Sequence, residues 1–146
     1  MKHQYYILFI FVVFGLYSIS QVHAQSESEL VNICTKISKQ DDDSKYLKDY
    51  KIRLEASTPA PKQKFSVILR RDTRYKFTLC NSRDYPGKAI LQVFDNQKMI
   101  ATTHLKSGKD LRNVYLDVKK TSTYHMIVKF QGGKEGLAVV ILSFVP

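Results

Sequence analysis

The sequence predicts a mostly β fold in which about eight short strands follow one N-terminal helix. From Tyr46 onward, apolar and polar residues alternate with a period of two, as at Tyr75, Phe77 and Leu79. This alternation is typical of half-buried strands with one apolar and one wet face. Turn residues such as Pro86-Gly87 separate the segments at intervals of roughly 8–12 residues. The spacing indicates a β-sandwich or barrel, and the wet face favours an antiparallel sandwich.

The predicted strands differ in how apolar they are. Alternation that leaves one face exposed is found in residues 50–54, 65–69, 75–79, 114–118 and 124–130. Residues 89–94 and 137–145 are more continuously apolar, which indicates strands that are central or covered on both sides.

The first 24 residues have the layout of a secretory signal peptide. Lys2 provides a basic start, and residues 7–19 form an apolar run that ends at polar residues. Val22-His23-Ala24 then places small or medium residues before a break at Gln25. A membrane-spanning helix would need about 20 apolar residues. We therefore expect residues 1–24 to be removed, leaving an exported protein, periplasmic or extracellular, with no transmembrane segment.

The charge of the mature chain is strongly positive. The whole sequence carries a formal charge of +10, and loss of residues 1–24 removes one lysine and no acidic residue, which leaves +9. This charge indicates solubility and attraction to anionic surfaces. For an exported chain we expect an envelope protein or an anionic glycan as the partner, and not nucleic acid. A generally basic protein with a solvated surface is the alternative.

The mature chain begins with a helix and an acidic linker, residues 25–45, and continues with the sandwich, residues 46–146. Ser26 offers a helix N-cap, and Leu30, Cys34 and Ile37 share one helical face. Residues 40–44 (QDDDS) lack the ligand spacing of a calcium-binding loop. We expect them to form a solvated turn.

Two cysteines, Cys34 and Cys80, remain in the mature chain. An exported protein can oxidise such a pair, and the bond would clip the helix onto the sheet. Cys80 alternates with the face opposite Tyr75 and Phe77, which would place the helix on the outer face of that sheet. Two separate buried thiols are the alternative.

A basic and aromatic surface is the candidate binding site. Seven residues at predicted wet positions could share one face: Lys76, Tyr115, Lys119, Lys120, His125, Lys129 and Lys134. Such a mixture suits an acidic glycan or protein surface. Lysines on exposed strands also block pairing between sheet edges, and this protective role is the alternative.

No catalytic, cofactor-binding or metal-binding residues are predicted. His104 and His125 are the histidines of the mature chain; they lie about 20 residues apart in the sequence, and no His-x-His or Cys-x-x-Cys pair accompanies them. The serines lie in no nucleophile-elbow motif, and Gly132-Gly133-Lys134 lacks the helix that follows a phosphate-binding loop.

Residues 75–145 resemble the bacterial pre-peptidase C-terminal type of β-sandwich. The likeness lies in an aromatic-x-aromatic strand, an L-x-V-aromatic-D strand and turn, a T-Y-x-x-x-V strand and a final Gly-led strand: residues 75–77, 91–95, 123–128 and 136–140. Short exported proteins of Bacteroidota that carry this sandwich alone are similar. The resemblance implies a jelly-roll-like, non-catalytic accessory domain. The family's acidic loop is Tyr85-Pro86-Gly87-Lys88 here, so no calcium site is carried over.

Three functional hypotheses follow. The first is an exported, non-enzymatic sandwich that binds a protein or glycan in the cell envelope or outside the cell. The second is a small secreted hydrolase or enzyme subunit with a dispersed site, which predicts a pocket with convergent titratable groups. The third is a purely structural envelope protein.

Overall fold

The computed structural model describes residues 25–146, and the predicted signal peptide, residues 1–24, lies outside the described residues. The described chain forms one α-helix, eight β-strands and a short 3-10 turn at Gln131–Gly133. In chain order they are α1 (Glu27–Ser38), β1 (Lys45–Leu54), β2 (Lys62–Leu69), β3 (Thr73–Asn81), β4 (Ala89–Asp95), β5 (Lys98–Thr102), β6 (Asn113–Val118), β7 (Ser122–Phe130) and β8 (Gly136–Val145).

The strands form two four-stranded antiparallel sheets. The first sheet has the order β1-β8-β3-β6, and the second has the order β2-β7-β4-β5. The β4–β5 hairpin lies at the centre of the sequence, and around it β3 pairs with β6, β2 with β7 and β1 with β8. This nested pairing is the double Greek key of a jelly roll. The predicted eight-stranded antiparallel sandwich with a short N-terminal helix is confirmed.

The main core lies between the two sheets. Alternate residues of each strand point inward, and Phe77, Leu91, Met126 and Val140 are among those fully buried there. Because the side chains of a strand alternate between its faces, the neighbours of these residues face outward.

A second, smaller core lies on the outer face of the first sheet, where α1 packs. Leu30 and Cys34 of the helix contact Val139 and Ile141 of β8. The helix begins where the Ser26 hydroxyl accepts a hydrogen bond from the Glu29 amide at 3.1 Å. Strand β8 is therefore central in its sheet and covered on both sides, which explains its continuously apolar sequence.

The turn between β7 and β8 supplies a matched pair of glycines for a test of stability. Gly132 and Gly133 have positive φ angles of 66° and 65°, but only at Gly133 would a Cβ atom collide with a backbone atom, the carbonyl oxygen of Ser57. We expect Gly132→Ala to lower the free energy of unfolding by about 1–2 kcal/mol through backbone strain. Gly133→Ala should cost roughly 1–3 kcal/mol more, because of the collision. Urea unfolding of both variants measures the difference, and equal losses would contradict it.

Candidate functional site

The seven residues predicted to share one binding face lie on different surfaces. Lys76 and Tyr115 point to the outer side of the first sheet, where they are cross-strand neighbours in β3 and β6. His125 and Lys129 alternate with the core residues of β7 and point to the outer side of the second sheet. The prediction of one shared face therefore needs correction, because the two sheets turn these residues in opposite directions.

The remaining lysines of that set lie in turns at opposite ends of β7. Lys119 and Lys120 precede the strand, whereas Lys134 follows it. All three are exposed. Their separation along the strand places Lys134 far from the other two, so they do not complete a common site with His125.

Lys76 is not a surface residue at all. Its side chain has 0% of its area exposed, and its ammonium donates hydrogen bonds to the Ser38 carbonyl at 2.9 Å and to Asp42 Oδ2 at 3.1 Å. The Tyr115 hydroxyl donates to the same Asp42 oxygen at 2.8 Å. Alternation correctly placed Lys76 opposite the core, but α1 and the acidic linker cover that face.

The acidic linker is docked, and the expectation of a solvated turn is wrong for Asp42 and Ser44. Ser44 is buried, and its hydroxyl donates to the Ser38 carbonyl at 2.9 Å. Burial opposes ionisation of Asp42, but hydrogen bonds from Ser44, Tyr115 and Lys76 outweigh it and hold the pKa of Asp42 well below its usual range. The linker thus supplies the counter-charge of the buried lysine.

The lowered pKa of Asp42 predicts an acid-sensitive fold. An unfolded aspartate has a pKa of about 3.9, so the stability that Asp42 contributes is complete above that pH and is lost as the pH falls below it. We expect the free energy of unfolding to decline below about pH 4, and Asp42→Asn to reduce that slope. Asp43→Asn is the control, because Asp43 is exposed and its side chain forms no ion pair with a residue of the described chain. Denaturant titrations from pH 7 to pH 2.5 give the slopes, and an unchanged slope in Asp42→Asn would contradict the assignment.

Cys34 and Cys80 are joined by a disulfide, with their Cα atoms 5.8 Å apart. Cys34 lies on the buried face of α1 and Cys80 near the end of β3, facing away from the main core. The bond fixes the helix to the outer face of the first sheet, beside the end of β3.

A serine and a histidine lie within hydrogen-bonding distance on the second sheet. Ser66 Oγ is 3.0 Å from His125 Nδ1, and the two residues are directly opposed in β2 and β7. A nucleophile–base pair also needs a third group to orient the histidine and donors for an oxyanion. Within residues 25–146 no side chain other than Ser66 hydrogen-bonds His125, and the pair lies on an open sheet surface. This is the geometry of an ordinary cross-strand contact.

A concave surface lies at the end of β3, where three segments meet. These segments are α1, the β3–β4 loop and the β5–β6 loop. Two adjoining cavities of about 420 and 460 Å³ open there, and they share Leu79, Asn81, Arg83 and Arg112 as lining residues. We call this surface the β3-end groove.

Three cationic side chains of the β3-end groove have no carboxylate of the described chain within ion-pair distance. Arg83, Lys88 and Arg112 line it, and none of them forms an ion pair with a residue of the described chain. Asp110 also lines the groove, but it accepts hydrogen bonds from His104 at 2.6 Å and from Gln131 at 3.2 Å. The hydrogen bond from His104, followed by that from Gln131, lowers the pKa of Asp110 and keeps it ionised.

One wall of the groove carries apolar side chains of α1. Leu79 lies between the two cavities, and Leu30, Ile33 and Ile37 of α1 line the second one together with the disulfide at Cys80. Ile33 keeps 38% of its area exposed. An apolar wall beside unpaired cations suits a ligand that carries both a negative charge and an apolar group.

Sequence reasoning missed the β3-end groove. Arg83 and Lys88 flank the predicted Pro86-Gly87 turn, so their exposure was readable from the sequence. Their proximity to Arg112 was not, because it follows from the pairing of β3 with β6, two strands that are not consecutive.

No protein-family model and no curated protein matches the sequence. Among solved structures, the fold is similar to the pre-peptidase C-terminal domain of a collagenase from Bacillus anthracis, with 11% identity and a TM-score of 0.49 over 65% of this chain and 87% of that one. It is also similar to PliG of Aeromonas hydrophila, a periplasmic inhibitor of g-type lysozyme, with 10% identity and a TM-score of 0.46 over 69% and 85%. Likeness at this level concerns the fold alone, so the activities of these proteins are not transferred.

Two further observations concern the described residues alone. From residue 25 to residue 146, no three His, Cys, Asp or Glu side chains are grouped so that they could hold a metal ion. In the same part of the chain, no helix has both the length and the hydropathy needed to cross a bilayer.

Proposed function

We propose that this protein is exported and acts as a non-enzymatic binding protein for a partner, a protein or an anionic glycan, in the cell envelope or outside the cell. The β3-end groove is the observation that carries the proposal, because Arg83, Lys88 and Arg112 line it without carboxylate partners in the described chain. Cationic groups that the fold does not use are available to an external anion.

Two features support export. The first is the Cys34–Cys80 disulfide, a bond that persists in oxidising compartments and is rare in the cytosol. The second is the signal-peptide pattern of residues 1–24. The intact mass of the secreted protein tests the cleavage, because a chain that begins at Gln25 is expected.

A binding role is also favoured by the chemistry of the groove. Its basic groups are arginine and lysine, side chains that recognise anions by donating hydrogen bonds. The Ser66–His125 contact on the second sheet lies outside the groove and lacks a third group among the described residues.

The test is a pull-down with the full chain carrying a C-terminal tag. The purified protein is incubated with envelope and culture-medium extracts of the source organism and washed in salt up to about 0.5 M, where exposed charge contacts are strongly screened. We expect one saturable partner to remain bound at the highest salt.

Loss of every bound component at that salt would contradict the proposal. The attraction would then come only from the net charge of the protein, which binds anionic surfaces without specificity.

A further inference from the structure

We infer that the β3-end groove binds an acidic segment of a partner protein, in which a carboxylate stands beside an aliphatic side chain. The inference deepens the proposed function and rests on it, since it names the site and chooses a protein over a glycan. Charge, apolar surface, and preorganisation of the groove each contribute to it.

The position of the two arginines indicates what charge the ligand carries. Arg83 and Arg112 line both cavities, so they stand where the two halves of the groove meet. A guanidinium presents paired N–H donors that match the two oxygens of a carboxylate. Within the described chain, the acidic side chains of the groove form no ion pair with either arginine: Asp110 is held by His104 and Gln131, and Glu29 lies in the first turn of α1.

The apolar surface of the groove distinguishes a protein segment from a glycan. Ile33 and Ile37 of α1 present aliphatic carbon in the cavity that Arg83 and Arg112 also line. A leucine or valine of a partner would gain free energy by covering this surface. A sugar, which carries hydroxyl groups on most of its carbon atoms, has less apolar surface with which to cover Ile33 and Ile37. The aromatic residue of the groove, Tyr85, is covered in part by Arg53, which lies 5.2 Å from the ring centre.

Main-chain hydrogen bonds hold the walls of the groove in place before any ligand arrives. The Leu79 amide donates to the Arg112 carbonyl at 2.9 Å, the Ser82 amide to Leu137 at 2.8 Å and the Gly87 amide to Glu135 at 2.8 Å. The disulfide fixes α1 on the opposite side. A site that is already ordered loses less conformational entropy on binding.

The experiment selects ligands from a random dodecapeptide display library on the tagged full-chain protein. Two variants that each remove two positive charges are run in parallel. Arg83→Ala/Arg112→Ala changes the groove. Lys119→Ala/Lys120→Ala changes the turn at the opposite end of β3. The length of the strand, at about 3.3 Å per residue, separates the two ends by roughly 25 Å. The far-UV and thermal-unfolding profiles of both variants show whether the fold is retained.

We expect enriched peptides that place Asp or Glu next to Leu, Ile or Val. Their binding to Arg83→Ala/Arg112→Ala should be about tenfold weaker or more, and their binding to Lys119→Ala/Lys120→Ala should match that of the unmodified protein. Polygalacturonate is an anionic polysaccharide. It should displace the peptides only at concentrations at which it also binds non-specifically to the exposed Lys119 and Lys120.

Three outcomes would overturn the inference. They are the enrichment of peptides without acidic residues, equal loss of binding in both variants, and no enrichment over the library background. Saturable binding of polygalacturonate that depends on Arg83 and Arg112 would also overturn the choice of a protein partner, while it would leave the proposed binding function in place. If the salt-resistant pull-down fails as well, the proposed function itself is wrong.

Discussion

Asp42→Ala is expected to lower the free energy of unfolding by about 3–5 kcal/mol, the cost of leaving a buried charge without its partner. Lys76 is fully buried, and Asp42 is the one carboxylate within ion-pair distance of it in the described chain. After the substitution, its ammonium keeps the Ser38 carbonyl and the ring of Tyr115, 5.6 Å away, but no counter-charge.

A double-mutant cycle tests this explanation. Lys76→Met removes the charge and keeps most of the volume of the buried stem, and the remaining carboxylate of Asp42 is partly solvated, with 19% of its side chain exposed. We therefore expect Lys76→Met alone to cost less than Asp42→Ala. In the double variant, Lys76→Met should restore part of the stability that Asp42→Ala removes. If urea unfolding showed that the double variant loses the sum of the free energies lost by the two single variants, the ion pair would not be what holds the linker.

Removal of the disulfide is expected to lower the free energy of unfolding by about 2–4 kcal/mol. The bond spans 46 positions of sequence and ties α1 to β3. Without it, the helix is held by the smaller apolar core around Leu30 and Val139, so we expect α1 to become accessible to proteases and amide exchange before the two sheets do.

The comparison uses Cys34→Ala/Cys80→Ala and the reduced unmodified protein. The reduced protein is the control for side-chain volume, because it keeps both sulfur atoms. Both should show early exchange in residues 27–38, with the protection of β3 and β8 largely retained. Identical stability before and after reduction would contradict the structural role of the bond.

Local pattern was sufficient to predict the sandwich and the direction of its side chains. The alternation around Tyr75 and Phe77 placed Lys76 and Cys80 on the outer face of β3, and both lie there. What covers that face was not readable. A lysine that alternates with the inward-facing Tyr75 and Phe77 looks solvent-exposed in sequence, and its burial depends on a carboxylate 34 residues earlier in the chain.

The binding surface was the part of the prediction that failed for topological reasons. The lysines at wet positions were treated as one face, although β6 and β7 belong to different sheets of the jelly roll. Conversely, Arg83 and Arg112 belong to loops far apart in sequence, and the pairing of β3 with β6 brings those loops together. Strand periodicity gives the face of a residue within its own sheet, but strand order decides which residues meet.

The central claim is that the β3-end groove, and not the overall positive charge, captures a partner. The most direct measurement is the pull-down at about 0.5 M salt with three baits: the unmodified protein, Arg83→Ala/Arg112→Ala and Lys119→Ala/Lys120→Ala. Both variants lose the same charge, so non-specific attraction falls equally in each. We predict that the partner is retained by the unmodified protein and by Lys119→Ala/Lys120→Ala, and that it is lost from Arg83→Ala/Arg112→Ala. Retention by the groove variant, or equal loss from both variants, would contradict the claim.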